Sequence, residues 1–186
     1  MKAFSAGLIA LAAAVAMLSG CTVSLQPFYS KATLLDDRSI EGRWTDGETT
    51  WQITRTRPAH YDIAACEEDS GDCKADTVGV LFRTSDVTFL DFQEKAESNF
   101  STVVHPHGLF QVHMEDDAID LMMLDQDRLT NLAKDGRLDT EFADLESGFL
   151  LTAASADLQS FVLRHLSDPQ VFAESHRLRR PEPVTE

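Results

Sequence analysis

Gly108-Leu109-Phe110-Gln111-Val112-His113-Met114 and Ala118-Ile119-Asp120-Leu121-Met122-Met123-Leu124, joined by Glu115-Asp116-Asp117, form the stretch on which the fold turns. In the first run Phe110, Val112 and Met114 recur with a period of two, which places them on one face of a β-strand. Asp116-Asp117 between two such runs is turn chemistry at hairpin spacing. Outward from this hairpin, similar short runs occur at 40–45, 49–55, 61–65, 77–84, 87–92 and 148–151, with Asp46-Gly47 between the first two. Consecutive hairpins of this kind make an antiparallel meander. In the run at 77–84, Val78, Val80 and Phe82 share a face, so this strand and the one at 108–114 are each expected to offer one apolar side to a common interior.

Helical signals enter late. Asp125 or Asp127 is placed to cap a short helix that carries Leu129, Leu132 and Ala133 and ends at Gly136. Ser155 with Asp157 opens a longer one, in which Leu158, Phe161, Val162 and Leu166 fall on one face. Asp168-Pro169 reads as a further turn of helix, and from Arg177 the chain tails off into charge and proline, with 181–186 as the tail proper. The expected class is α+β but mostly β: an antiparallel meander or open barrel of seven to eight strands, with C-terminal helices packed on it. One such domain, residues 40–180, suits a chain of 186 residues with 43% hydrophobic and 25% charged side chains. The balance of 16 basic against 31 acidic residues, a net charge of -15, argues against nucleic acid as a partner, because phosphate binding needs a dense basic surface.

Met1-Lys2 is a short basic start, and residues 6–18 are an almost unbroken apolar run, the length of a signal-peptide core and too short to span a bilayer comfortably. The run ends in Leu18-Ser19-Gly20-Cys21, which resembles the lipobox of bacterial lipoproteins. That resemblance implies that residues 1–20 are a lipoprotein signal peptide and that Cys21 is the site of lipid attachment. The chain would then be held to the membrane through its N-terminal acyl anchor. Thr22, standing where aspartate would favour inner-membrane retention, implies the outer membrane. Loss of Lys2 with the leader takes the formal charge from -15 to -16. With Cys21 committed to lipid, Cys66 and Cys73 remain as an even pair in an oxidising compartment, and a disulfide between them is expected to close a solvated acidic hairpin loop.

Gly42-Arg43-Trp44 resembles the Gly-x-Trp opening of lipocalin-like barrels. The resemblance implies that Trp44 is the barrel plug and that one of Arg177, Arg179 or Arg180 stacks on it. Over residues 25–180 the chain is similar to a group of uncharacterised bacterial lipoproteins, through Leu25-Gln26-Pro27-Phe28-Tyr29 and through Leu151-Thr152-Ala153 running into Leu158-Gln159-Ser160-Phe161. That group supplies no activity to transfer. A helix near 126–135 departs from the lipocalin pattern and bears on whether the sheet closes. Residues 21–39, with Leu25, Phe28, Tyr29, Leu34 and Leu35, are more apolar than a tether requires and are expected to be a tether and partly packed lead segment.

His105-Pro106-His107 with His113 is the one cluster suggestive of metal, yet His107 and His113 lie about 20 Å apart on an extended strand, and Pro106 marks a strand start. No metal ligands are assigned. The acidic pairs Asp36-Asp37, Glu67-Glu68 and Asp116-Asp117 read as solvated turns. Nucleophile elbows, phosphate loops and dinucleotide fingerprints do not occur, so no catalytic residue and no cofactor is assigned. Met114, Met122, Met123 and Phe82, Phe89, Phe92, Phe100 and Phe110 either line a lipid-sized cavity or fill a core. The first functional expectation is a non-catalytic binding domain for an apolar or amphipathic small ligand. The alternative is an acidic interaction module for a basic protein partner, such as an envelope assembly factor or a muramidase. An enzyme is the third.

Overall fold

A computed structural model describes residues 22–67, 70–95, 104–145 and 148–181. Eight antiparallel strands close into a barrel: β2 (Gly42–Thr45), β3 (Thr50–Arg57), β4 (His60–Cys66), β5 (Cys73–Thr84), β6 (Val87–Glu94), β7 (Gly108–Met114), β8 (Ala118–Leu124) and β11 (Phe172–Arg179). A separate three-stranded sheet holds β1 (Val23–Ser24), parallel to β10 (Gly148–Leu151), which is antiparallel to β9 (Phe142–Leu145). Helix α1 (Gln126–Lys134) follows β8, and α2 (Ser155–His165) precedes β11. The α+β, mostly β reading holds, and the sheet closes fully.

Closure is the work of a strand that the sequence reading did not place, β11, whose last three residues, 177–179, were read as the start of the tail. β11 pairs along its length with β8, from Phe172↔Leu124 to Arg179↔Ala118, but meets β2 at a single register position, Arg179↔Thr45. Its alternation was obscured because charged residues fill its outer face; Arg177, for example, pairs with Asp120 and Glu115. Two further expectations are corrected nearby. Asp168-Pro169 forms a turn, with the Asp168 carboxylate accepting from the Gln170 N–H, and no helix follows. The run at 148–151 is a strand, but it lies in the small sheet.

The barrel has two cores, one on each side of its wall. Each of the eight strands sends one buried side chain inward: Trp44, Ile53, Tyr61, Leu81, Leu90, Val112, Ile119 and Leu178. The second core lies outside, where Phe82, Phe89, Leu109, Leu124 and Phe172 from the wall meet Phe28, α1, α2 and β10. Val80, Leu81 and Phe82 are all buried, so β5 is covered on both faces. Alternation cannot say which side of such a strand is the interior. Phe82 stacks on Phe89 at 5.3 Å in the outer core, and Leu81 faces the barrel; the expected assignment for this strand is reversed.

The seam between β2 and β11 is reinforced by Arg180. Its guanidinium lies 3.7 Å from the Trp44 ring centroid. Nη1 donates to the Glu41 carbonyl at 2.8 Å and Nη2 to the Ser39 carbonyl at 2.9 Å. The backbone N–H of Arg180 donates to Asp117 in the β7–β8 turn. Gly42 has φ +118°, and a Cβ there would stand 2.3 Å from Arg180 Nη1. The glycine of the Gly-x-Trp element is therefore the space in which the arginine sits. Trp44 in turn donates Nε1–H to the Ile40 carbonyl at 2.8 Å.

Caps and the disulfide complete the frame. Asp125 caps α1 by accepting from the Arg128 N–H, whereas α2 starts after Ala154 without a side-chain cap. Cys66 and Cys73 are bonded and also face each other as a register pair at the tip of the β4–β5 hairpin.

Arg180→Ala is expected to lower stability by about 2–3 kcal/mol, from lost cation–π contact and charged hydrogen bonds, read as a shift in urea midpoint. Arg180→Lys should recover only part of this, since one ammonium cannot both stack and reach two carbonyls. The Cys66→Ser/Cys73→Ser double variant should lose about 2.5 kcal/mol by the same measurement.

Candidate functional site

Five inward-facing residues stand two positions from members of the buried ring and on the same face: Trp51 from Ile53, Ile63 from Tyr61, Phe92 from Leu90, Phe110 from Val112 and Leu121 from Ile119. In every case the step runs toward the barrel end that carries the β2–β3 and β4–β5 hairpins. All five are half-buried. The barrel is thus filled through its middle and apolar but incompletely covered above it. The filling is tight: a Cβ on Gly79 would come within 2.9 Å of both Ile63 Cδ1 and Leu90 Cδ1. Phe92 and Phe110 stack at 4.7 Å, forming one aromatic wall of this mouth.

Of the candidate cavity residues, the structure brings Phe92 and Phe110 to the mouth. Phe82 and Phe89 belong to the outer core, with half-buried Met122 against it, and Phe100 lies outside the described residues. Met114 sits half-buried at the opposite end of the barrel, beside a concavity of about 720 Å³. That concavity is open and largely polar, with Asp37, Ser39, Arg83, His113, Glu115 and Arg180 in its walls. A smaller one of about 330 Å³ is walled by Asp139, Thr140, Asp157 and Arg164 beside α2.

The histidines do not converge. Among the described residues no group of three or more His, Cys, Asp or Glu is arranged to hold a metal ion. His107 instead bonds through Nδ1 to Asp91 at 2.7 Å, while its backbone N–H and carbonyl pair with Ser24. Asp91 is 1% exposed and also accepts from the Phe28 N–H at 2.8 Å. This carboxylate, which the sequence reading passed over, fastens the lead segment to the outside of β6. The only signal for it was an acid inside the apolar run at 87–92. Burial pushes the Asp91 carboxyl above its ordinary value, and the His107 hydrogen bond partly opposes that. The pair lines neither concavity, so its part is to clamp.

Asp36 and Asp37 are more than a solvated turn. Asp36 takes a two-pronged bond from Arg55, at 2.7 Å to each oxygen, and accepts from the Ala59 N–H. The Arg55 bonds hold its pKa down at about 2. Asp37 caps the short 3-10 turn Arg38–Ile40, and its carbonyl accepts from the buried Tyr61 hydroxyl at 2.7 Å. The expected strand start at Ile40 accordingly moves to Gly42.

Cys21 and residues 1–20 lie outside the described residues, and no described helix is long and apolar enough to cross a membrane. No family model, no curated protein and no solved structure matches this chain.

The Asp91 clamp carries a pH signature. A raised folded-state pKa means that folding favours the protonated acid, so this group's stabilising contribution is complete below the ordinary 3.8 and is lost as pH rises through the folded value. Urea midpoints of the native chain relative to Asp91→Asn should therefore fall as pH rises from about 4. Asp91→Leu, which leaves the Phe28 N–H buried without its acceptor, should cost about 2 kcal/mol across that range.

Proposed function

We propose that this chain is an envelope-anchored lipoprotein, non-catalytic, whose barrel binds an apolar or amphipathic small ligand at its mouth. The observation that carries the reading is the half-buried layer of Trp51, Ile63, Phe92, Phe110 and Leu121 above a filled core. An apolar ring of this kind gains from covering by a hydrocarbon chain, while the packed layer below limits how far that chain enters. An amphipathic ligand would insert its apolar end and leave its polar head near the hairpins. The anchor rests on Leu18-Ser19-Gly20-Cys21 after the apolar run, and assignment to the outer membrane rests on Thr22.

A second reading, an acidic surface that docks a basic protein, is favoured by one arrangement. Arg55, Lys95, Arg128, Arg164 and Arg177 are all paired with carboxylates of the chain itself. Five of the 16 basic residues are thereby spent internally, and the chain keeps its acidic excess.

Titration of the unacylated domain with palmitate and with lysophosphatidylethanolamine, followed by native mass spectrometry and tryptophan fluorescence, is expected to show a one-to-one complex. Trp51→Ala should weaken it about tenfold, the loss of one aromatic contact. Absence of any complex with either probe would defeat the mouth reading. Retention of a cationic muramidase that weakens steeply with added salt would favour the second.

A further inference from the structure

The exposed large apolar side chains among the described residues are Leu25, Val104, Phe142 and Leu145. Three of them belong to the small sheet or adjoin it directly: Phe142 and Leu145 on β9, and Leu25 immediately after β1. Val104 stands three residues before His107, whose backbone pairs with Ser24 of β1. The sheet register separates them: Phe142, opposite Leu151, stacks on Phe149 at 4.5 Å on the core-facing side, whereas Leu145 belongs to the other side. Val23 lies opposite Leu150, and Leu150 opposite Ala143, so these three form a cross-strand row on one face. Leu25 and Leu145, two residues from Val23 and Ala143 along their strands, extend that face at either side. Ser24, Phe149 and Leu151 point the other way and are buried. Within the paired strands the outward face of this sheet therefore carries Val23, Ala143, Leu145 and Leu150, with Glu141 and Thr152 at its margin, on a chain whose net charge is -15.

The position of this face along the chain indicates what covers it. Thr22 is 2% exposed and Ser24 is fully buried, so the fold begins at the first residue after Cys21. Trans-peptide geometry places the Cys21 Cα about 3.8 Å from that of Thr22. A glyceride on Cys21 would enter the bilayer with no spacer between it and β1. We propose that the face formed by Val23, Leu25, Ala143, Leu145 and Leu150 rests on the bilayer surface beside the acyl chains, so that the anchor fixes the orientation of the domain as well as its location. This rests on the lipoprotein reading above. The apolar face supplies the contact that the acidic body cannot obtain from lipid headgroups, and adds to the acyl chains a second attachment that restricts how the domain turns. The β7–β8 turn at Asp116 lies at the far end of β7, seven residues or about 23 Å of strand from the end that meets β1.

The full chain, processed and acylated in cells, is reconstituted into vesicles of phosphatidylethanolamine with a minor share of phosphatidylglycerol. Leu145→Cys, Leu25→Cys and Asp116→Cys each carry a single environment-sensitive fluorophore, since Cys66 and Cys73 are bonded to each other. Nitroxide lipids labelled near the headgroup are expected to quench the probes at 145 and 25 at least about threefold more than the probe at 116, as for an interfacially seated surface. Equal, weak quenching at all three positions on protein whose mass includes the acyl chains would overturn the face proposal and leave the anchor intact. A mature chain without acyl mass would overturn the lipoprotein reading and this proposal with it. Probes at 145 and 25 that become shielded with rising protein concentration in detergent, without lipid quenching, would assign the face to a second copy and also overturn it.

Discussion

One guanidinium holds the barrel shut. The first and last strands of the sheet share a single register position, too little to resist fraying, and Arg180 supplies the rest by stacking on Trp44 and bonding two carbonyls of the segment that leads into β2. Three residues far apart in sequence are bound by this geometry. Gly42 must lack a side chain, Trp44 must present its ring, and the arginine must follow β11 directly. Arginine suits the place because its planar, delocalised charge can lie on an indole while its edges donate.

The wall so closed is used on both sides, which explains why residues 79–82 of β5 and 88–91 of β6 are buried without a break. Inside, eight side chains fill the middle layer; outside, the helices and the small sheet cover the wall from β5 to β8 and β11. A barrel of eight strands has interior room for little beyond its own side chains. Here the filling stops one layer short of the hairpin end, and that shortfall is the candidate site.

Much of the barrel was legible in the sequence, because half-buried strands with turn residues between them announce themselves. The strands at 108–114 and 118–124 are found where alternation puts them. Three things were not legible, each for a physical reason. β11 carries ion-paired Arg177 outward, and its buried residues, Phe172 and Leu178, stand at its two ends with exposed Ser175, His176 and Arg177 between, so its pattern lacks a strand's alternation. In β5, burial of Val80, Leu81 and Phe82 together removes the contrast between faces. Asp91 lies in an apolar run as an acid, and its partners, His107 and the Phe28 N–H, are 16 and 63 residues away. At the site, Phe92 and Phe110 could be nominated from composition, whereas Trp51, Ile63 and Leu121 join them only through register.

The parallel pairing of β1 with β10 has a bearing on the order of assembly. Val23 finds its partner in Leu150, more than a hundred residues later, and Ser24 meets His107 only when the loop before β7 has been made. Contacts of such separation form late, since the intervening chain must close first. As the polypeptide is synthesised from its amino end, its opening segment has no docking place until nearly the whole domain exists. The strand that opens the described fold is thus among the last parts to dock, after β10 has been made.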